Sequence, residues 1–180
     1  MSPEIVSEPS RSTVLTLTPE CICRGTPPTP EQREGPYYKP DTPHRTDFTG
    51  DVETGTPLVL HGQVVDTEGA PVAGALLDFW QVGDEGVYDE DGFRLRGHQF
   101  ADGQGRWRLD TVLPAMYPGR TRHVHVKVMP PDGEVLTTML YFPEERRNHL
   151  DKHFREECVM EVTENEKGWE GVFTFVMNAR

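Results

Sequence analysis

From residue 57 onward the chain is a series of short apolar runs punctuated by glycine and proline. Leu58-Val-Leu-His-Gly-Gln-Val-Val-Asp66 alternates well enough for a half-buried strand, and Thr67-Glu-Gly-Ala-Pro71 closes it with a turn. Ala75-Leu-Leu-Asp-Phe-Trp-Gln-Val82 is denser and predicts a strand buried on both faces. An acidic, glycine-spaced loop follows from Gly83 to Gly92, with Tyr88 in its middle. Arg94 to Ala101 and Arg106 to Leu113 flank Asp102-Gly-Gln-Gly105, a strong hairpin signal. A second hairpin is expected from His123 to Met129 and Glu134 to Phe142, turned by Pro130-Pro-Asp-Gly133. Pro143 to Glu157 is charged, with Leu150 and Phe154 at helical spacing, so one short helix is expected there. Cys158 to Thr163 and Gly171 to Met177 complete the strands. Short strands, Gly/Pro turns and almost no helix predict an all-β protein, an antiparallel β-sandwich.

The segment ahead of these strands has a different texture. Gly25 to Thr49 contains Pro27, Pro28, Pro30, Pro36, Pro40 and Pro43, a density that rules out a central strand or a helix interior. An extended arm lying over the domain is expected, with Gly35-Pro-Tyr-Tyr38 as its most ordered part. Residues 1–24 are polar and predict a flexible N-terminal segment. Residues 25–180 then form one domain, of which 25–56 are the proline-rich arm packing over the active site.

Composition narrows the function classes. The 180 residues suffice for one buried core. A net charge of −12 argues against a nucleic-acid surface and leaves no polybasic membrane patch. A small anionic substrate stays open, because local arginines can oppose the global sign. No run approaches the ~18 apolar residues of a membrane span, and the acidic N-terminus lacks the apolar region of a secretory signal. Cys21, Cys23 and Cys158 are odd in number, and Cys-Ile-Cys is too tight for an easy disulfide, so reduced thiols in a cytoplasmic protein are expected.

Candidate chemistry concentrates in Tyr117-Pro-Gly-Arg-Thr-Arg-His-Val-His125. On a strand His123 and His125 point to one side, roughly 6.6 Å apart along the backbone, a spacing at which two imidazoles can share a metal ion. A bare His-x-His is more often a pair of surface histidines; Tyr117 and Arg120 just upstream change the balance. Candidate ligands are Tyr88, Tyr117, His123 and His125. Histidines alone do not choose a metal, but tyrosinate at neutral pH requires a hard, highly charged ion such as Fe(III).

These residues resemble a known family. Gly86-Val-Tyr88, Phe93-Arg-Leu-Arg-Gly97, Asp102-Gly-Gln-Gly105 and the Tyr117–His125 stretch resemble the intradiol ring-cleavage dioxygenases. So do Asp78-Phe-Trp-Gln81, Thr138-Met-Leu-Tyr-Phe-Pro143 and Thr29-Pro-Glu-Gln-Arg-Glu-Gly-Pro-Tyr37. The match runs in order over roughly residues 29–143 and is closer to the short, single-domain members than to those with a helical N-terminal domain. The resemblance implies a β-sandwich holding non-haem Fe(III) through Tyr88, Tyr117, His123 and His125. It implies that a catechol, protocatechuate or a substituted catechol displaces the Tyr117 phenolate, and that O₂ opens the ring to a cis,cis-muconate-type diacid. Arg120 matches the arginine lying against the bound ring, while Gly35, Pro36 and Tyr37 match the arm lining the ring pocket. Met139 stands where members commonly carry glutamine, which bears on substrate preference. A homo-oligomer is compatible with the resemblance.

The remaining histidines have plainer expectations. His149 and His153 are expected on a solvated helix face, His98 in a supporting or packing role, and His44 and His61 at the surface. Arg122 matches nothing in the family, and Tyr38 is expected to pack. Two other classes fit parts of the sequence: a non-catalytic transthyretin-like β-sandwich binding module, which shares the pattern Gly69-Ala-Pro-Val-Ala-Gly74, and a cupin, which would need neither Tyr88 nor Tyr117.

Overall fold

Three valines at alternate positions, Val124, Val126 and Val128, give strand β5 (His123–Met129) one wholly apolar face. In the computed structural model, which describes residues 25–178, that face packs against a second sheet. The other strands are β1 (Pro57–Asp66), β2 (Leu76–Trp80), β3 (Arg96–Phe100), β4 (Arg106–Val112), β6 (Leu136–Tyr141), β7 (Glu161–Asn165) and β8 (Gly168–Met177). They form two four-stranded sheets, ordered β4-β1-β8-β7 and β3-β2-β5-β6. The core between them contains Leu58, Leu60, Val64 and Leu109 from one sheet and Leu77, Phe79 and Val126 from the other. Trp107 bridges the layers, 5.4 Å from the Phe79 ring and 5.5 Å from that of Phe175.

The β-sandwich expected from the sequence is present, with three differences of detail. Asp102-Gly-Gln-Gly105 makes a tight turn, Asp102 Oδ1 accepting N–H bonds from Gln104 and Arg106. It is not a hairpin: Phe100 pairs with Leu76 while Arg106 pairs with Gln63, so the chain crosses between sheets there. β1 and β8 run parallel, because β8 is led by the β7–β8 hairpin into the slot between β1 and β7. The short helix expected over 143–157 is replaced by two 3₁₀ turns, Asn148–Leu150 and Glu156–Cys158. Side-chain bonds override the helical spacing. Asn148 holds Thr121 Oγ1 and the Phe142 carbonyl, Asp151 accepts the Thr121 N–H, and Leu150 is 82% exposed.

The arm binds both sheets through its backbone. Thr29 N–H donates to the Val176 carbonyl, Gln32 to Thr137, Arg45 to His98 and Phe48 to Asp110. Residues 1–24, with Cys21 and Cys23, lie outside the described residues. Cys158 is a buried free thiol. Among the described residues no helix is long and apolar enough to cross a membrane.

The parallel seam sets one stability prediction. Gly62 pairs with Phe173, and a Cβ there would lie 1.8 Å from the Phe173 carbonyl oxygen. Gly62→Ala is expected to cost about 3 kcal/mol or more, because backbone rather than a flexible side chain must move. Urea unfolding should show a lower midpoint at unchanged slope; an unchanged midpoint would mean the seam yields freely.

Candidate metal centre

Alternation on β5 sends its valines inward, so His123 and His125 share the opposite face. Register across the four strands lines up Arg96, Trp80, His125 and Met139 in one row, with His123 facing Tyr141 in the next. Such a face would ordinarily meet solvent. Here the arm covers it: Tyr38 packs 4.9 Å from the Trp80 ring, and Thr42 Oγ1 donates to Asp78. Lys127 lies over the Tyr38 ring, and burial beside Asp78 pushes the Tyr38 phenol up to about 12.

The donor atoms converge. His123 Nδ1–H donates to the Thr121 carbonyl at 2.7 Å, which leaves its Nε2 with a free lone pair. That Nε2 lies 3.2 Å from His125 Nε2 and 3.3 Å from Tyr88 Oη. The His125 ring stacks on Trp80 at 4.7 Å and 9°. Its Nδ1 is buried without a hydrogen-bond partner among the described residues. Burial, then the charge of Arg120, pushes His123 down to about 4; burial and the neighbouring His123 push His125 well below its ordinary value. Both imidazoles are therefore neutral at pH 7 and able to ligate. Burial raises the Tyr88 phenol, with Arg120 and Arg96 opposing, so a phenolate there needs a strong local cation. No group of three or more His, Cys, Asp or Glu among the described residues is placed to hold a metal, so any centre here depends on the phenols. Two neutral imidazoles converging through Nε2, with two phenols beside them, fit a hard, highly charged cation.

Two loops carry the tyrosines in. Tyr117 and Arg120 stand at the ends of a turn closed by Arg120 N–H to the Tyr117 carbonyl at 2.9 Å. Proline at its second position and Gly119 at φ 78° make it a type II turn, which the sequence Tyr-Pro-Gly-Arg encodes directly. Tyr117 Oη lies 2.6 Å from Tyr37 Oη. The Tyr37 ring in turn stacks on Tyr88 at 4.5 Å. The Tyr88 loop is shaped by Asp89, which accepts the N–H groups of Asp91, Gly92 and Arg94.

Together these side chains line a cavity of about 280 Å³ that contains every candidate named from the sequence: Tyr88, Tyr117, His123 and His125, Arg120, Gly35, Pro36, Tyr37 and Met139. Gly35 is there for a different reason than close approach. A Cβ would sit an ordinary 3.7 Å from His125 Cε1, but φ is 77°, a conformation glycine adopts without strain. Arg120 Nε donates to Asp151 at 2.7 Å, and its Nη2 contacts Met139 Sδ at 3.2 Å.

Two residues went unread in the sequence, and a third, His153, was expected elsewhere. Arg96, 1% exposed, ties loop to arm by donating to the Asp89 and Tyr37 carbonyls. Its neighbours Arg94, Gly97, His98 and Gln99 give no sign in the sequence that this guanidinium is the buried one. Asp151 accepts from Arg120, Thr121 N–H and His153 N–H. Burial works against its carboxylate, but these donors outweigh it and hold the group below the usual range. His153 lines the cavity, contrary to the solvated helix face expected for it, because no helix forms there. His61 is half-buried against Glu170. His98 packs in its expected supporting role, with Nδ1 on Thr42. Arg122, Arg94 and Lys39 are engaged elsewhere, with Glu145, Glu85 and the Glu90 and Gly92 carbonyls.

Comparison with known proteins meets this geometry from outside. A dioxygenase family model matches residues 33–178. The chain is 31% identical over 135 residues to catechol 1,2-dioxygenase of Candida albicans, covering 59% of this chain and 45% of that one. Over 91 residues it is 38% identical to hydroxyquinol 1,2-dioxygenase of Rhodococcus opacus, covering 47% and 30%. It thus spans about half the length, or less, of these curated relatives. The dioxygenase domain of a dioxygenase–carbohydrate-binding fusion protein from Streptomyces sp. SirexAA-E superposes with a TM-score of 0.83 at 47% identity, over 86% of this chain and all of that one. The 3-chlorocatechol 1,2-dioxygenase of Rhodococcus opacus 1CP superposes at 0.78 with 27% identity, over 88% and 74%. With a family match over most of its length and the same sandwich beneath it, the chain belongs to the intradiol dioxygenases.

Proposed function

We propose that this protein is a non-haem Fe(III) intradiol dioxygenase, opening a catechol-type ring between its two hydroxylated carbons with O₂ to give a cis,cis-muconate-type dicarboxylic acid. The observation that carries the reading is the meeting of His123 Nε2, His125 Nε2 and Tyr88 Oη within 3.3 Å of one another's nearest neighbour, in a cavity shared with Tyr117 and Arg120. Tyr88, Tyr117, His123 and His125 would hold the iron. When bound, it supplies a Lewis acid and electron acceptor that activates a deprotonated catechol toward O₂.

The chain's own residues supply the rest. Tyr117, half-buried and facing Tyr37, is the phenolate that can leave and accept a substrate hydroxyl proton at Oη, with Tyr37 Oη as its hydrogen-bond partner. His123 and His125, buried and held by Thr121 and Trp80, stay fixed. Arg120, anchored by Asp151, brings a permanent positive charge to the face of an electron-rich ring and to the oxyanion that develops on it. Met139 presents a polarizable apolar wall beside His125 in place of an amide. Both oxygen atoms of O₂ enter the product, one in each carboxyl group, so no external reductant is needed.

Loading the protein with iron in air is expected to give a burgundy colour from tyrosinate charge transfer, a band that shifts on adding catechol, and oxygen uptake with catechol. A colourless, iron-free protein after both ferric and ferrous loading would overturn the proposal. Tyr117→Phe is expected to weaken the band and slow substrate binding with the fold intact. An unchanged spectrum would remove Tyr117 from the ligand set.

A further inference from the structure

The cavity's charged lining is all of one sign. Arg33 and Arg120 face it, with the His153 imidazole beside them, and no Asp or Glu does. On a chain with net charge −12, that is a local reversal. Arg120 is already committed to Asp151. Arg33 is exposed, with no hydrogen bond or ion pair among the described residues. Its acidic neighbour Glu34 is taken by Lys127.

Arg33 nonetheless has a fixed place. Just before it, Gln32 donates its N–H to the Thr137 carbonyl and its amide to Thr138 Oγ1 and the Met139 carbonyl, and it accepts from Tyr141 Oη. Just after it, Gly35 turns the chain at φ 77° and Tyr37 locks onto Tyr88 and Tyr117. His153 comes from the other side, its N–H on Asp151 and its carbonyl on Tyr141 Oη. Burial, then the charge of Arg120, bring the His153 imidazole down against the opposing Asp151, with smaller contributions from Lys152 and Arg33, so the ring meets a ligand as a neutral N–H donor.

Burial also gives the cavity a direction. Tyr88, His123 and His125 are buried at its floor, His153 is half-buried, and Arg33 is exposed at its mouth. A ring whose two hydroxyls reach the floor therefore turns its far edge toward Arg33 and His153. We infer that the cavity selects catechols carrying a carboxylate opposite the hydroxyls, the carboxylate being held at the mouth by the Arg33 guanidinium and the His153 ring. A guanidinium fork matches a planar carboxylate with two parallel N–H bonds, which neither a chloro nor a hydroxyl substituent can accept in the same way. The inference rests on the ring-opening reading above for the orientation of the hydroxyls.

The test compares 3,4-dihydroxybenzoate with its neutral isostere 3,4-dihydroxybenzamide, in both turnover and binding. Iron-loaded protein is expected to prefer the acid in kcat/KM. Arg33→Gln is expected to lower the acid-to-amide ratio roughly fivefold, the effect of losing one partly solvated charged contact, and mostly through KM. Metal-free protein, followed by tryptophan fluorescence with Trp80 stacked on His125 beside the cavity, is expected to bind 4-hydroxybenzoate more tightly than 4-hydroxybenzamide, and Arg33→Gln to erase the difference. A ratio unmoved by Arg33→Gln, with catechol still opened, would overturn the carboxylate site and leave the ring-opening proposal standing. Failure to open any catechol, with the acid preference in binding intact, would overturn the reaction and not the site.

Discussion

Metal-free His125→Phe protein is expected to melt at or above the wild-type temperature, and the same variant is expected to hold no iron and open no catechol. The two halves come from the two ring nitrogens, Nε2 facing His123 in the candidate ligand set and Nδ1 lacking a partner. The His125 imidazole is fully desolvated and its Nδ1 has no partner among the described residues, so it is a polar group that the metal-free fold gains little from burying. An unsatisfied buried group of this kind costs about 1–3 kcal/mol. Phenylalanine keeps the stacked contact with Trp80 and removes the orphaned nitrogen. Its extra volume meets Met139 in the next strand, an adaptable side chain, and the cavity beside it. Iron per chain, the visible band and oxygen uptake report the first loss, and thermal unfolding of metal-free samples reports the gain. A variant that still carries one iron would exclude His125 from the ligand set. A large fall in melting temperature would make the imidazole a structural element instead.

The parts legible in the sequence are those whose physics is local. Alternation on β5 places His123 and His125 together because strand periodicity needs no tertiary information. Tyr117-Pro-Gly-Arg120 carries its own turn, so a phenol and a guanidinium come out paired. Tyr88 was a candidate by residue type, and the resemblance supported it, but nothing in an acidic loop indicates which strand face it will meet. The unread residues act through distant backbone atoms. Arg96 is bonded to the carbonyls of Asp89 and Tyr37, and Asp151 to the N–H of Thr121, pairings that no spacing rule encodes. The same long-range bonds explain the missing helix, where Asn148 and Asp151 hold the chain to the Thr121 turn more tightly than a helical ladder could. The Asp102 turn was recognised by its chemistry, but which strands it joins is decided by sheet packing.

Arg120→Gln is expected to lower kcat/KM by about 10²–10³, the usual loss when a preorganised group facing developing negative charge is removed. It is also expected to cost about 2–3 kcal/mol of stability at neutral pH, because it strips a buried carboxylate of its cation. Asp151 has a side chain only 1% exposed, and with Arg120 gone its remaining donors are the N–H groups of Thr121 and His153. The pH dependence separates this from simple loss of packing. The folded Asp151 carboxyl lies below its ordinary value, so its stabilisation is fully present above the unfolded-state pKa and is lost as pH falls through the depressed native one. Removing Arg120 raises that native value, so the gap between variant and wild type should be widest at neutral pH and should close only as pH falls through the depressed native value of the wild type. Asp151→Asn supplies the other side of a cycle. It leaves Arg120 in place but loosens Nε, so about a tenfold loss of kcat with iron retained is expected, and little further loss when it is added to Arg120→Gln. Asp151 is then a positioning residue that acts through the arginine. An Asp151→Asn loss that is the same in both backgrounds would break that link, and a near-normal kcat/KM in Arg120→Gln would remove the guanidinium from the reaction.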